Sequence, residues 1–314
     1  MTEGVKMIYT VTLNPALDRT INIDRLLEDD TTRILFEDHY AGGKGIDVSR
    51  VITELGGQNV ALGLVGGYDG LHLEGLLINA GVMTDFTKIA GETRTNIIIK
   101  EEATGRQFVI SAVGPEIAAA EIGQFYQHVL EMNAVDYLVL SGSLPRGMSH
   151  NIYAQLLLAG RNKKAFVLLD TDGTVLKKSL DYQPTCIKPN LHELSRLAGR
   201  ELITESEILT VCDGIHRKGI QYVLVSRGKH GLILSTKERK IRATLPPVKV
   251  DSSVGAGDSV VAGFVLAYSH GKDLEECMRL ACAAGTATAQ TPGTELCHRT
   301  DVENLFSQVE IADL

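Results

Sequence analysis

DSSVGAGD, residues 251–258, leads directly into the apolar run SVVAGFVLAYSHG. The glycines predict a turn, and the small residues that follow predict a helix packed closely on its neighbours. Such a junction brings free backbone N–H groups and the positive end of a helix dipole to one point, which stabilises an anion. Asp258 stands at the start of this helix, where it can cap the helix or act as a general base on a substrate hydroxyl.

A second glycine-rich turn enters a helix at residues 41–55, AGGKGIDVSRVITEL. Gly42, Gly43 and Gly45 carry no side chain, so a ligand can approach the backbone there. The GxxxxGK[ST] pattern of a Walker A loop is absent, and no GxGxxG dinucleotide fingerprint follows the first strand. The sequence therefore predicts two ligand-binding turns that belong to neither of these nucleotide-binding motifs.

A third candidate element is KPNLHE, residues 188–193, which follows an apolar stretch. Asn190 and Glu193 lie three residues apart, so both face one point if a helix begins there. Their oxygen atoms can hold a hydrated Mg²⁺. The same pair fits a capping box with Asn190 as the N-cap residue, and the two interpretations are compatible.

Strand-like and helix-like segments alternate around these turns, and several of the strands are continuously apolar. This order favours an α/β fold in which helices cover both faces of a mostly parallel sheet. Two segments, 19–40 and 93–113, look instead like β-hairpins and predict a small β-sheet lid; the alternative is that they extend the main sheet. The predicted strands are 7–13, 60–64, 137–140, 166–169 and 222–225, and the predicted helices are 48–55, 117–132, 151–160 and 205–218.

Composition excludes several classes of protein. The 314 residues are 44% apolar, enough for one large domain with a real core. The net charge of −8, without a basic stripe, argues against a nucleic-acid partner. No apolar run approaches the roughly 20 residues of a membrane span, and we expect no signal peptide. Five scattered cysteines without a CxxC motif indicate reduced thiols of a cytoplasmic protein.

With these motifs in place, the chain resembles the ribokinase-type carbohydrate kinases, the PfkB family, over essentially its whole length. Within that family it resembles the phosphofructokinase branch, and most of all the minor-type 6-phosphofructokinases. The 1-phosphofructokinases and tagatose-6-phosphate kinases share most of the motifs. The motifs that carry the resemblance are the turns at 41–55 and 251–264, NPALDRT (14–20), GETRTN (91–96), SGSLPRG (141–147), KPNLHEL (188–194) and SVGAGDS (253–259).

The resemblance implies one kinase domain over residues 1–314, with a three-layer core and a lid formed by 19–40 and 93–113 that serves as a homodimer interface. Asp258 would deprotonate the acceptor hydroxyl, and the N–H groups of Gly255, Ala256 and Gly257 would form an anion hole. Arg94 and the partner subunit's Arg33 would meet the substrate phosphate. The remaining substrate-binding candidates are Asp18, Gly42, Gly43, Lys44, Asp47 and Ser143.

The resemblance also implies ATP and Mg²⁺ as cofactors, and it leaves room for a monovalent cation. ATP would lie along residues 226–231 and the helix after Leu280. Glu193, with Asn190, would act on Mg²⁺ through water. The candidate ATP-binding residues are Asn190, Ser226, Gly228, Gly231, Ser253, Gly255, Gly257 and Gly285.

These expectations amount to phosphoryl transfer from ATP to a ketohexose phosphate. Fructose 6-phosphate is the first acceptor, with fructose 1-phosphate and tagatose 6-phosphate as alternatives. Two differences from the family pattern weaken the preference for fructose 6-phosphate. Asp47 replaces the usual asparagine and can only accept hydrogen bonds when ionised. Thr31 stands where minor-type 6-phosphofructokinases carry a lysine.

Two hypotheses from other classes remain. A non-catalytic sugar-phosphate or nucleotide sensor would be expected to lack the base, the anion-hole glycines or the metal pair, and all of these are present. A doubly wound dehydrogenase would carry the glycine fingerprint that this chain lacks.

Overall fold

The computed structural model describes residues 6–314; residues 1–5 of the expected kinase domain lie outside the described residues. The strands are β1 Ile8–Thr12, β2 Ala16–Ile23, β3 Ile34–Gly42, β4 Asn59–Val65, β5 Met83–Lys88, β6 Arg94–Glu101, β7 Gln107–Ile110, β8 Tyr137–Ser141, β9 Phe166–Asp170, β10 Cys186–Ile187, β11 Tyr222–Ser226, β12 Leu232–Ser235, β13 Lys240–Thr244 and β14 Glu310–Asp313. The helices are α1 Lys44–Glu54, α2 Gly67–Asn79, α3 Ala119–Glu131, α4 Ile152–Asn162, α5 Gly173–Ser179, α6 Leu191–Ala198, α7 Glu205–His216, α8 Ala256–Ser269, α9 Leu274–Ala289 and α10 Arg299–Phe306.

The large sheet has ten strands in the order β14-β13-β12-β11-β10-β9-β8-β1-β4-β5. The pairs from β11 to β5 are parallel, and the pairs from β11 to β14 are antiparallel. All five predicted strands are confirmed and belong to this sheet. Because central strands such as β8 and β9 are buried on both faces, they are apolar up to the polar residue that ends each one, and this property made them recognisable.

Helices cover both faces of the large sheet, which confirms the three-layer α/β fold. One core packs α1, α8 and α9 against the sheet around Val51, Phe264 and Ala281, and the other packs α3, α4 and α7 around Phe125 and Leu156. At Gly263 of α8, an added Cβ would lie 2.9 Å from the Cα of Ala281. The expected close packing of this helix therefore depends on the absence of a side chain.

A second sheet, hereafter the small sheet, has the strand order β3-β2-β6-β7. Strand β2 pairs antiparallel with β3 and parallel with β6, while β6 and β7 form the expected hairpin. Its turn includes Gly105, whose φ of 68° is in the left-handed region that favours glycine. The small sheet is separate from the large one, so the alternative that the two hairpins extend the main sheet is wrong.

The carboxyl ends of the parallel strands meet at one edge of the large sheet, where ligands of open α/β sheets bind. Strands β1, β8 and β9 end there at Thr12, Ser141 and Asp170. The small sheet joins the same edge, because β2 begins at Ala16 opposite Gly42, the end of β3. Nowhere between residues 6 and 314 is a helix long and apolar enough to cross a membrane.

Candidate active site

The glycine turn before α8 has the expected geometry. Gly255 is the N-cap residue with a φ of 75°, and an added Cβ would lie 2.5 Å from the Leu296 side chain. Asp258 lies in the first turn of α8 and is 8% exposed. No side chain caps this helix, so the carboxylate of Asp258 does not serve as its cap. Of the two interpretations left open by the sequence, the structure therefore favours a carboxylate available for chemistry.

The surroundings of Asp258 make its carboxylate a stronger base than an exposed aspartate. Burial raises the pKa of Asp258 well above its usual value, and the charges of Asp47 and Asp170 raise it further. Lys44 and Lys188 oppose this rise. A carboxylate with a raised pKa gains more free energy on accepting a proton, as a general base requires.

The glycine turn before α1 is packed too tightly for side chains. Gly43 is the N-cap residue with a φ of 121°. An added Cβ on Gly42 would collide with the Asp18 carboxylate, and one on Gly45 would lie 2.5 Å from Thr12 Oγ1. These glycines bring the backbone against β1 and β2, which places Asp18 beside the start of α1. Helix α1 consequently begins at Lys44, four residues before the start predicted from apolar spacing.

Asp18 and Asp47 form an acidic cluster at this end of the small sheet. Burial raises the pKa of Asp18, although Asn96 donates a hydrogen bond of 2.7 Å to its Oδ1 and Arg94 and Arg50 also oppose the rise. Burial raises the pKa of Asp47 to about 7 against the effect of Arg50, whose guanidinium lies 3.2 Å from Asp47 Oδ1. Two carboxylates with few competing partners suit the hydroxyl groups of a sugar.

Asn96 is a site residue that sequence reasoning did not select. It lies on β6, beside Asp18 in the parallel pairing with β2. Its Oδ1 accepts a hydrogen bond of 3.1 Å from the backbone N–H of Ala112, and its Nδ2 donates to Asp18. The sequence feature that could have identified Asn96 is its place in GETRTN, two residues after Arg94 and so on the same face of a strand.

The two arginines expected at the substrate phosphate lie in different places. Arg94 is half-buried at the site, but its terminal nitrogens donate to the carbonyls of Ala112 at 2.8 Å and Asn14 at 3.0 Å. Arg33 is exposed in the loop before β3, beside Thr31. The nine residues of β3 put Arg33 about 30 Å from Gly42, so it cannot reach the site of its own chain.

Two lysines and a buried aspartate lie between the two glycine turns. Lys44 Nζ donates to Asp170 Oδ1 at 3.2 Å, and Lys188 Nζ lies 3.5 Å from Asp170 Oδ2. Lys188 also approaches the glycine turn before α8, since an added Cβ on Gly257 would lie 3.4 Å from its Nζ. Sequence reasoning selected Lys44 alone. Asp170 ends a buried strand of the parallel sheet, a position that could have drawn attention to it.

Asn190 and Glu193 form the predicted capping box at the start of α6. Glu193 N–H donates to Asn190 Oδ1 at 2.9 Å, and Asn190 N–H donates to Glu193 Oε2 at 2.8 Å. Oε1 of Glu193 lies outside this box and can still bind a water. Among residues 6–314, no three acidic, histidine or cysteine side chains converge as a metal site. The pair therefore fits Mg²⁺ held mainly by phosphates and water, the usual coordination of this ion.

The other residues expected at ATP lie in several environments. Ser226 forms a parallel bridge with Asn190, which brings these two candidates together. Gly228 opens a short 3₁₀ turn that ends before Gly231. Gly285 instead faces α8, where an added Cβ would lie 2.5 Å from the Val260 side chain, so its absent side chain serves helix packing. Ser143 and Ser253 are exposed in loops after β8 and before α8.

Similarity to known proteins agrees with this geometry. Residues 11–301 match the pfkB family carbohydrate kinases. The chain is 35% identical over 309 residues to 1-phosphofructokinase of Borreliella burgdorferi, covering 98% of this chain and 99% of that protein. It is also 35% identical over 309 residues to D-tagatose-1-phosphate kinase of Bacillus licheniformis, covering 98% and 100%. Phosphofructokinase-2 from Escherichia coli, solved in complex with potassium, superposes with a TM-score of 0.91 at 33% identity, covering 96% of this chain and 98% of that one.

Proposed function

The chain belongs to the pfkB family of carbohydrate kinases, and from this premise we propose that it transfers the γ-phosphoryl group of ATP to a ketohexose 1-phosphate. Fructose 1-phosphate is the preferred acceptor and D-tagatose 1-phosphate the second. The observation that supports this type of reaction is the carboxylate of Asp258 at the glycine turn into α8, which is buried and does not cap the helix. The acceptor is supported by the names of the two relatives at 35% identity.

This acceptor revises the order expected from the sequence. Fructose 6-phosphate came first there, and the relatives favour the alternative, fructose 1-phosphate, instead. Both acceptors give fructose 1,6-bisphosphate, because fructose 1-phosphate presents its C6 hydroxyl to the base and fructose 6-phosphate presents its C1 hydroxyl. Fructose 6-phosphate stays as the third candidate acceptor, since the fold is also closely similar to phosphofructokinase-2 of Escherichia coli.

In the proposed reaction, Asp258 accepts the proton of the acceptor hydroxyl as its oxygen attacks the γ-phosphorus in line. The new O–P bond forms while the bond from the γ-phosphorus to the bridging oxygen breaks, and ADP leaves. Backbone N–H groups of Gly255 to Gly257 and the amine of Lys188 stabilise the charge on the transferring group. Bound Mg²⁺ supplies further charge neutralisation, and Glu193 and Asn190 would hold it through water.

The acceptor would lie between the small sheet and α1. Asp18 and Asp47 would accept hydrogen bonds from its hydroxyl groups, while Arg94 would face its phosphate through the N–H groups that do not donate to the main chain. An Asp47 carboxylate repels a phosphate close by, which favours an acceptor whose phosphate is at the end distant from Asp258. ATP would lie along residues 226–231, with Asn190 near its phosphates.

We also propose that the small sheet is the lid and that two chains pair through it. Its strands expose a group of large apolar side chains that a single chain leaves in water: Ile34, Leu35, Phe36, Val109 and Ile110. Pairing would also bring the partner subunit's Arg33 within reach of a substrate phosphate. We place the enzyme in the cytoplasm, where ATP is available and its five free, buried cysteines stay reduced. The potassium in the Escherichia coli structure makes a monovalent cation a further candidate.

The test is a coupled ADP-release assay across fructose 1-phosphate, D-tagatose 1-phosphate, fructose 6-phosphate, fructose and ribose. We expect the highest kcat/KM with fructose 1-phosphate. Asp258→Asn should lower kcat by at least about 10³-fold with ATP binding retained, whereas Asp251→Asn, an exposed neighbour in the same turn, should stay within about twofold of the wild type. Faster turnover of an unphosphorylated sugar, or near-normal turnover by Asp258→Asn, would contradict the proposal.

A further inference from the structure

The carboxylate of Asp170 is buried between two lysine amines at the point where the two glycine turns meet. Its side chain is 0% exposed, and Lys188 is 3% exposed. Lys44 comes from the start of α1, and Lys188 directly follows β10, so the three residues belong to distant segments of the chain. A buried carboxylate is costly unless it is paired, and here each of its oxygens has its own amine.

The position of the two amines points to phosphate rather than to packing alone. Lys188 Nζ lies beside Gly257 of the anion hole. Lys44 is close enough to the base, Asp258, for the charge of that carboxylate to raise the pKa of the Lys44 amine. Two amines share one carboxylate, which leaves one net positive charge directed at the anion hole. Such fixed charge is most effective when it is held in place before the reaction.

We propose that Asp170 is a positioning residue that holds the amines of Lys44 and Lys188 at the point of phosphoryl transfer, an inference that rests on the proposed kinase function. Asp170 does not touch substrate itself. Its Oδ1 fixes Lys44 at 3.2 Å, and its Oδ2, which accepts no hydrogen bond from the described residues, faces Lys188 at 3.5 Å. Without the carboxylate, the two amines would repel each other and leave the anion hole.

Asp170 also keeps Lys44 protonated. Burial by itself lowers the pKa of Lys44, but Asp170, Asp258 and Glu193 raise it, and the net effect is a rise above the usual value. Lys188 is the other charged group at the carboxylate. Removing the Asp170 charge takes away the largest opposing effect, so the pKa of Lys44 falls and its proton is lost at a lower pH.

The first experiment compares Asp170→Asn with the wild type and with Asp172→Asn. Asp172 is two residues away, caps α5 and pairs with Arg196 at the surface, and asparagine caps a helix equally well. We expect Asp170→Asn to lower kcat by about 10²-fold, with little change in the KM of the acceptor. The alkaline decline of kcat/KM should move to lower pH by at least about one unit. Asp172→Asn should remain within about twofold of the wild type.

A purely structural Asp170 would lower the unfolding temperature of Asp170→Asn without moving the pH profile, and that outcome overturns the proposal. A double-variant cycle provides the second criterion. If Asp170 acts through Lys44, Asp170→Asn in a Lys44→Met background should lower kcat by much less than about 10²-fold. An equal decrease of kcat in both backgrounds contradicts the inference.

A measurement on the wild type keeps the proposal testable if Asp170→Asn does not fold. Trace acetylation of the whole enzyme, followed by mass spectrometry, compares the reactivity of the Lys44 amine with exposed Lys249 across pH. We expect Lys44 to stay unreactive at a pH where Lys249 is readily acetylated, and equal reactivity overturns the proposal. This measurement needs no turnover, so an inactive wild type would count against the kinase function alone.

Discussion

Asp47→Asn should stabilise the protein in a pH-dependent way. Asp47 has a side chain that is 15% exposed, and burial is the main cause that raises its pKa from 3.8 to about 7. At about 1.4 kcal/mol per pH unit, the ionised carboxylate lowers the free energy of unfolding by about 4 kcal/mol at most. Asparagine removes this cost, and the attraction of Arg50 is not subtracted again because the pKa of about 7 already includes it. The expected gain is therefore up to about 4 kcal/mol at about pH 8.

The pH dependence separates this cause from simple packing. A carboxyl whose pKa is raised by folding binds its proton more tightly in the folded state. Its cost is therefore absent below about pH 4, grows as the pH rises, and is complete above about pH 7. At about pH 5 the cost is only about 2 kcal/mol, so the variant should gain about half as much there as at about pH 8.

The assay is urea unfolding of Asp47→Asn, the wild type and Asp38→Asn at about pH 5 and about pH 8. Asp38 is exposed on β3, the strand that precedes the glycine turn, and its substitution should change little at either pH. A variant gain that is equal at both values would mean that packing is responsible. A loss of stability at about pH 8 would refute the electrostatic reasoning altogether.

Three further predictions concern the turn, the substrate phosphate and the proposed dimer. Gly255→Ala should lower the free energy of unfolding by about 1–3 kcal/mol and abolish turnover, because φ is 75° and the new Cβ would meet Leu296; unchanged urea unfolding would contradict this. Arg94→Met should raise the KM of the phosphorylated acceptor at least about tenfold more than that of ATP, and equal increases would remove its proposed role. Phe36→Asp should convert a dimer to monomers in sedimentation analysis, with a raised acceptor KM, and a dimer that survives it would exclude this face of the small sheet.

The strands and helices that could be predicted are those that depend on local patterns. Continuous apolar runs marked β8 and β9, the β-rich run MIYTVTL marked β1, and the KPNLHE spacing marked the capping box that opens α6. The start of α1 was predicted four residues late. Its first turn is set by the backbone conformation of Gly43, whose φ of 121° leaves no trace in hydrophobic periodicity.

The composition of the site was harder to predict where it depends on contacts between distant segments. Asp170 and Lys44 are 126 residues apart, and only the parallel order of the strands brings them to one edge. Gly285, a glycine expected at ATP, packs against Val260 of α8, and its role at ATP stays a prediction. A glycine in sequence does not reveal whether its absent side chain makes room for a ligand or for another helix.

The sequence by itself determined the glycine turn that opens α8 and the place of Asp258 in the first turn of this helix, because these residues follow one another along the chain and form their turn locally. Only the tertiary structure decided what surrounds that turn. It excluded Asp258 as a helix cap, bound Arg94 to main-chain carbonyls, and set Asp170 between two lysines. Burial, pKa and charge pairing arise from residues that meet only after the sheet has formed, so no local pattern encodes them.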